Sequence, residues 1–186
     1  MMPQDKSPWF FTARRRFTPD QIQLWNSYLK FSGFTHISEL VSLDSILCPE
    51  LIENLIDNDW AYNVQADYRI TWFTNLAYLR QRIRWHIGQN QILAILENPT
   101  HNHPIPERFE FCGFDLLDDQ DNNSVLTNCG QFPSIFSPAD VNNFGLLANL
   151  ETANTIAANI RAEFPDEPHC RNCRVWQIAR NTALLQ

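Results

Sequence analysis

Glycine is scarce in this chain, with five residues in 186. That scarcity argues against glycine-rich phosphate loops and against a sandwich built from many tight hairpins. Lysine is nearly absent too, two against twelve arginines, so cationic chemistry rests on guanidinium groups. Long apolar runs are missing: no segment approaches the roughly 18 apolar residues of a membrane span. Residues Met1 to Phe17 carry no continuous apolar stretch and no small-residue cleavage pattern. These absences predict a cytoplasmic protein, away from membranes, with reduced thiols. Five cysteines, an odd number, also do not suit a fully paired disulfide framework. Walker, dinucleotide, kinase and nucleophile-elbow patterns are all lacking, and so is any repeat of fixed period.

What is present is apolar bulk. Hydrophobic residues make up 44% of the chain, with 13 Phe, 6 Trp and 4 Tyr, which excludes a disordered or low-complexity protein. A chain of this length buries about 70% of its unfolded surface in one core. A single domain over residues 1–186 is therefore expected. Its one possible boundary, the proline-rich Asn98–Pro106 stretch, reads as a loop.

Local patterns give the elements. Thr18-Pro19-Asp20 offers a cap, a first-turn proline and a dipole-complementing acid, and opens a helix stopped by Gly33. A second helix starts at Pro49, after a Thr35–Leu43 segment that reads as short strand or loop. An aromatic stretch over residues 57–73 precedes a third helix from Thr74 to His86. Gln91–Leu96 and Arg108–Leu117 read as strands, the second alternating Phe109 and Phe111 against Glu110 and Cys112. Asp118–Asn123 is a turn, and Ser124–Asn128 could pair back across it. Short helix Ser137–Asp140, longer helix Glu151–Phe164 and strand Val175–Ala179 complete the order. Helices, strands, helices and one strand predict an α+β fold: a mainly antiparallel sheet of about four strands packed by several helices.

Charge is uneven. The net charge of −7 falls wholly in residues 94–186, where 12 acids face 5 bases; residues 1–93 hold nine of each. Asp115, Asp118, Asp119 and Asp121 form a local acidic peak, of which Asp118, Asp119 and Asp121 read, like Asp57 and Asp59, as solvated turn. An acidic half disfavours nucleic acid and suits a basic partner protein.

The sharpest chemical motif is Pro168-His169-Cys170-Arg171-Asn172-Cys173-Arg174. Cys170 and Cys173 have the spacing of half a zinc site, but no second pair follows. The missing ligands would come from His169, Cys112, Cys129, or His101 and His103. A dithiol role fits less well, because the pair follows a helix instead of starting one. The favoured reading is a pair of small buried residues in a loop. Cys129, followed by Gly130, is a candidate nucleophile that would need His101, His103 or His169 as base and Asp115 to orient it. Arg14-Arg15-Arg16 and Arg80, Arg82 and Arg84, each beside aromatics, could bind RNA, though pairing with the acidic half is the simpler expectation.

The sequence thus points first to a non-catalytic protein-interaction module with no cofactor. The alternatives are a zinc- or thiol-dependent enzyme centred on Cys129, His169, Cys170 and Cys173, and an RNA-associated protein using the Arg14–Arg16 and Arg80–Arg84 clusters. Oligomeric state is not legible in it.

Overall fold

The computed structural model describes residues 9–16, 26, 34–39, 41, 72–118, 124–126 and 134–183. Four strands, β1 (Phe10–Arg15), β2 (Asn90–Glu97), β3 (Phe109–Leu117) and β4 (Arg174–Asn181), form one antiparallel sheet. Their spatial order is β1-β2-β4-β3, so β4 enters between two strands that precede it in the chain. Among the described residues the helices are α1 (Leu76–Arg82), α2 (Leu150–Glu163) and α3 (Pro168–Arg171). The expected α+β architecture with a four-stranded antiparallel sheet is the one observed.

Ile92–Leu96 of β2 reads as a continuous apolar run, and β4 as Val175–Ala179 interrupted only by Gln177, because both faces of each central strand are covered. In β4, Val175 and Ala179 lie four residues apart and so share a face. On that face Ala179 packs with Ala94, Phe11 and the α1 residues Leu79 and Ile83. Val175 packs with Phe114, Leu116 and the α2 residues Ala153, Ile156 and Ile160. Both long helices therefore cover one side of the sheet, each over its own half. The reverse side, with Leu93, Ile95, Trp176 and Ile178, is covered by Val41, Trp72 and Leu146. Trp72 meets Trp176 edge-on at 4.5 Å between ring centroids, a geometry that adds about 1 kcal/mol to simple burial.

Asparagine starts both long helices. Asn75 Oδ1 accepts from the backbone N–H groups of Ala77 at 2.9 Å and Tyr78 at 3.1 Å, and Asn149 Oδ1 accepts from Thr152 N–H at 2.8 Å. Each acceptor satisfies donors that the first turn leaves open. The helix expected over Thr74–His86 is shorter than predicted, because Ile83 leaves helical geometry and a turn carries the chain through Arg84 to His86. Ser137–Asp140 amounts to a single 3₁₀ turn held by a capping box.

Strand β3 departs from its predicted alternation. A bulge between Phe111 and Gly113 shifts the register, leaving Phe111 exposed and Cys112 buried. Gly113 sits at φ +144°, where a Cβ would lie 2.7 Å from Leu146 Cβ and 2.8 Å from the Leu147 carbonyl oxygen. Asn142 locks the bulge: its Nδ2 donates to Cys112 O at 2.7 Å, and its Oδ1 accepts from Phe144 N and Leu146 N.

The outer edges of the sheet are occupied. Phe11 in β1 exchanges two backbone hydrogen bonds with Phe73, and Phe114 in β3 does the same with Leu147. Val125 N–H donates to Leu116 O at 2.7 Å, so the chain does pair back onto β3 through Ser124 and Val125.

The sequence did not reveal β1 or α3. In the Thr35–Leu43 segment, the described residues form turns and bends held by Asn143 and Phe144 and contain no strand. The helices opened by Thr18 and Pro49 lie outside the described residues apart from Asn26, which is helical. The aromatic stretch 57–71, Asp57, Asp59, Asp119, Asp121 and Cys129 also lie outside them.

Candidate functional site

The C-terminal motif folds locally because Pro168 takes the first position of α3, where no N–H is required. Cys170 N–H donates to Glu167 O at 3.0 Å, and Cys173 N–H to Cys170 O at 3.2 Å. This short helix replaces the expected loop, and it turns both cysteines inward. They join the cluster of Ile156, Ala157, Ile160 and Val175, with 7% and 1% of their surfaces exposed. Burial pushes the Cys173 thiol up to about 11, against a weaker opposing pull from the nearby Arg161 guanidinium. Arg161 Nη1 also donates to the Cys173 carbonyl at 2.7 Å, tying α2 to the start of β4.

His169 points the other way. Its ring is half exposed, and Nδ1 lies 3.2 Å from Oδ2 of the buried Asp118. The imidazole thus bridges α3 to the end of β3. A carboxylate accepting from Nδ1–H leaves Nε2 as the open nitrogen. The structure joins His169 to Asp118, a partner 51 residues away that sequence spacing did not indicate.

The other sequence candidates are dispersed. Cys112 belongs to the reverse side of the sheet with Trp176 and Ile178, and burial raises its thiol to about 12 despite Arg180 nearby. Asp115 is fully buried and accepts from Ser124 Oγ at 2.6 Å and Leu116 N at 2.8 Å; no described contact places it on a histidine. His101 and His103 stack with centroids 4.1 Å apart and planes 26° from parallel. Rings that lie face on face do not aim their nitrogens at one point, as shared metal ligation requires. Their loop is pinned to the sheet by Gln177, whose side chain exchanges two hydrogen bonds with the His103 backbone, and by Trp9 Nε1 on Pro104 O. Among the described residues no group of three His, Cys, Asp or Glu side chains is placed to hold a metal ion.

Charge is also arranged differently from the sequence reading. Asp115 and Asp118 are buried, so the acidic peak is partly internal, and Asp118 is not the solvated turn residue expected. Glu151, Glu163, Asp166 and Glu167 are exposed instead, along α2 and the turn after it. Shallow clefts flank that surface, one of about 330 Å³ by Ser134, Asn159 and Glu163, another of about 720 Å³ by Asn102, Asn149 and Glu151.

The arginine clusters part company. Arg14 is buried within β1, opposite Gln91 of β2, so Arg14-Arg15-Arg16 is not one surface patch. Arg84 is exposed and Arg80 half-buried, and neither has an ion-pair partner among the described residues. The arginine that sequence reading passed over is Arg180. It bridges Glu39 and Glu110, stacks 4.7 Å over the Phe144 ring, and meets Gln91 through Glu39, to which Gln91 Nε2 donates. Burial opposes its charge, but the hydrogen bonds to Glu39 and Glu110 prevail and hold its pKa above the ordinary value.

Compared with protein-family models, curated proteins and solved structures, the chain matches none.

Proposed function

We propose that this chain is a non-catalytic module that binds a basic protein through the acidic end of α2. The supporting observation is the exposure of Glu163, Asp166 and Glu167 within five residues, none in an ion pair among the described residues. Arg161, the nearest cation on the helix, is engaged with the Cys173 carbonyl. Exposed carboxylates beside an open cleft, Glu163 among them accepting from Ser134 Oγ at 3.0 Å, suit lysine- or arginine-rich segments, and complementary charge of this kind governs encounter and orientation.

Capture on the immobilised full chain at 50 and 500 mM salt tests the reading, with the Glu163→Gln/Asp166→Asn/Glu167→Gln variant in parallel. A basic partner retained at low salt, and lost in both the high-salt and variant arms, is expected. Retention indifferent to salt and to the substitutions removes the proposal. Elemental analysis addresses the enzyme alternative: stoichiometric zinc that disappears in Cys170→Ser/Cys173→Ser would overturn the binding-module reading.

A further inference from the structure

A second surface, on the half of the sheet covered by α1, has the opposite character. Trp85 is 79% exposed, and Phe111 on β3 is the one other large hydrophobic side chain exposed among the described residues. The Arg84 guanidinium lies 4.9 Å from the Trp85 ring centroid, and Arg82 lies 5.9 Å from that of Tyr78. Arg80 lies in the last turn of α1, four residues before Arg84, which follows the helix in the turn after Ile83. No aspartate or glutamate occurs in the chain from Tyr68 to Leu96, so this segment carries arginines with no acid of its own. Within four residues of Trp85 in the chain, Gln81, Gly88 and Gln89 are exposed, and a Cβ placed on Gly88 would meet nothing within 4 Å.

We infer that Trp85, with Arg84 and Arg80, is a stacking platform for single-stranded nucleic acid. The indole offers a nearly open face, and every base presents a π-surface to stack on it. Guanidinium groups contact phosphates bidentately, and a guanidinium already lying on an indole is positioned to do so beside a stacked base. The setting favours a nucleic acid over an acidic polypeptide. Protein hot spots sit in apolar, desolvated surroundings, whereas Trp85 is largely exposed and carries the Arg84 guanidinium over its ring. The molecule's charge of −7 opposes association at long range, so the contact is short-ranged and its affinity modest.

Fluorescence anisotropy of a labelled twelve-residue oligouridine with the full chain tests the inference. Binding with Kd about 10 µM is expected at 50 mM salt, in the range of sequence-independent contacts. Two phosphate contacts on a single strand give a log–log salt slope of about −1.4, or about sevenfold weaker binding at 200 mM. Trp85→Ala should weaken binding at least about fivefold, with Trp85→Phe recovering most of it. Arg80→Ala/Arg84→Ala should flatten the salt slope. Near-UV circular dichroism identifies any variant that has lost its packing; the exposed Trp85 and Arg84 sites are expected to pass. No anisotropy change up to 200 µM protein overturns the inference, as does a Trp85→Ala variant that binds like the parent. Tighter binding of poly-L-glutamate than of oligouridine would reassign the surface to an acidic polypeptide and overturn it equally.

Discussion

Cys173 and Cys112 show how burial sets the chemistry of a side chain. Each thiol is raised above the ordinary value of 9.0, to about 11 and about 12, chiefly because the thiolate is poorly solvated where it sits. A folded-state pKa above the unfolded one means that the protonated thiol is favoured by folding. That contribution is complete well below pH 9, where both states hold the proton, and is lost as pH rises from 9 through about 11 for Cys173 and about 12 for Cys112. Urea denaturation at pH 7.5, 9 and 10.5 should therefore show stability falling over the upper interval. Cys112→Ala/Cys173→Ala, though less stable throughout, should show a shallower fall; an unchanged slope would mean the thiols are not its source. The inward direction of Cys170 and Cys173 was legible in the sequence, since a lone pair with no partner pair reads as small core residues. His169 was not, because Asp118 reaches it only through the return of the chain from β3 to α3.

At the scale of elements, β2, β4 and α2 were legible because their signals are local. Short segments dense in apolar residues, Ile92–Leu96 and Val175–Ala179, mark strands covered on both faces, and Ile156, Ile160 and Phe164 recur at helical spacing. Strand β1 escaped because Arg14 and Arg15 break its apolar pattern, yet the sheet buries Arg14 opposite Gln91. The bulge in β3 escaped for a different reason. Its cause is Asn142 and Leu146, about thirty residues further on, and nothing near Gly113 announces them. Gly113→Ala should accordingly cost about 3 kcal/mol, combining a disfavoured φ with overlap on Leu146 and Leu147. Chemical denaturation checks this, and a loss under 1 kcal/mol would show that the bulge relaxes without difficulty.

For the whole molecule, the informative contact is Arg180 with Glu39 and Glu110. It joins the 34–41 segment to β3 and β4 across 141 residues of sequence, a separation at which no local pattern operates. Arg180→Ala should lower stability by about 2 kcal/mol, less than for a fully buried pair because both glutamates keep access to water. Hydrogen exchange at the Glu39 and Val41 amides should rise more than at β2 amides, and a uniform increase would mean the network does not tether that segment. The occupied outer edge of β3 has a further consequence. Cys112 O, Phe114 N and O, and Leu116 O are already engaged by Asn142, Leu147 and Val125. A partner cannot extend the sheet there by adding a strand of its own, and β-augmentation is closed to it along that stretch. Recognition on that side must be read from side chains, which makes it sensitive to single substitutions in a way that backbone pairing is not.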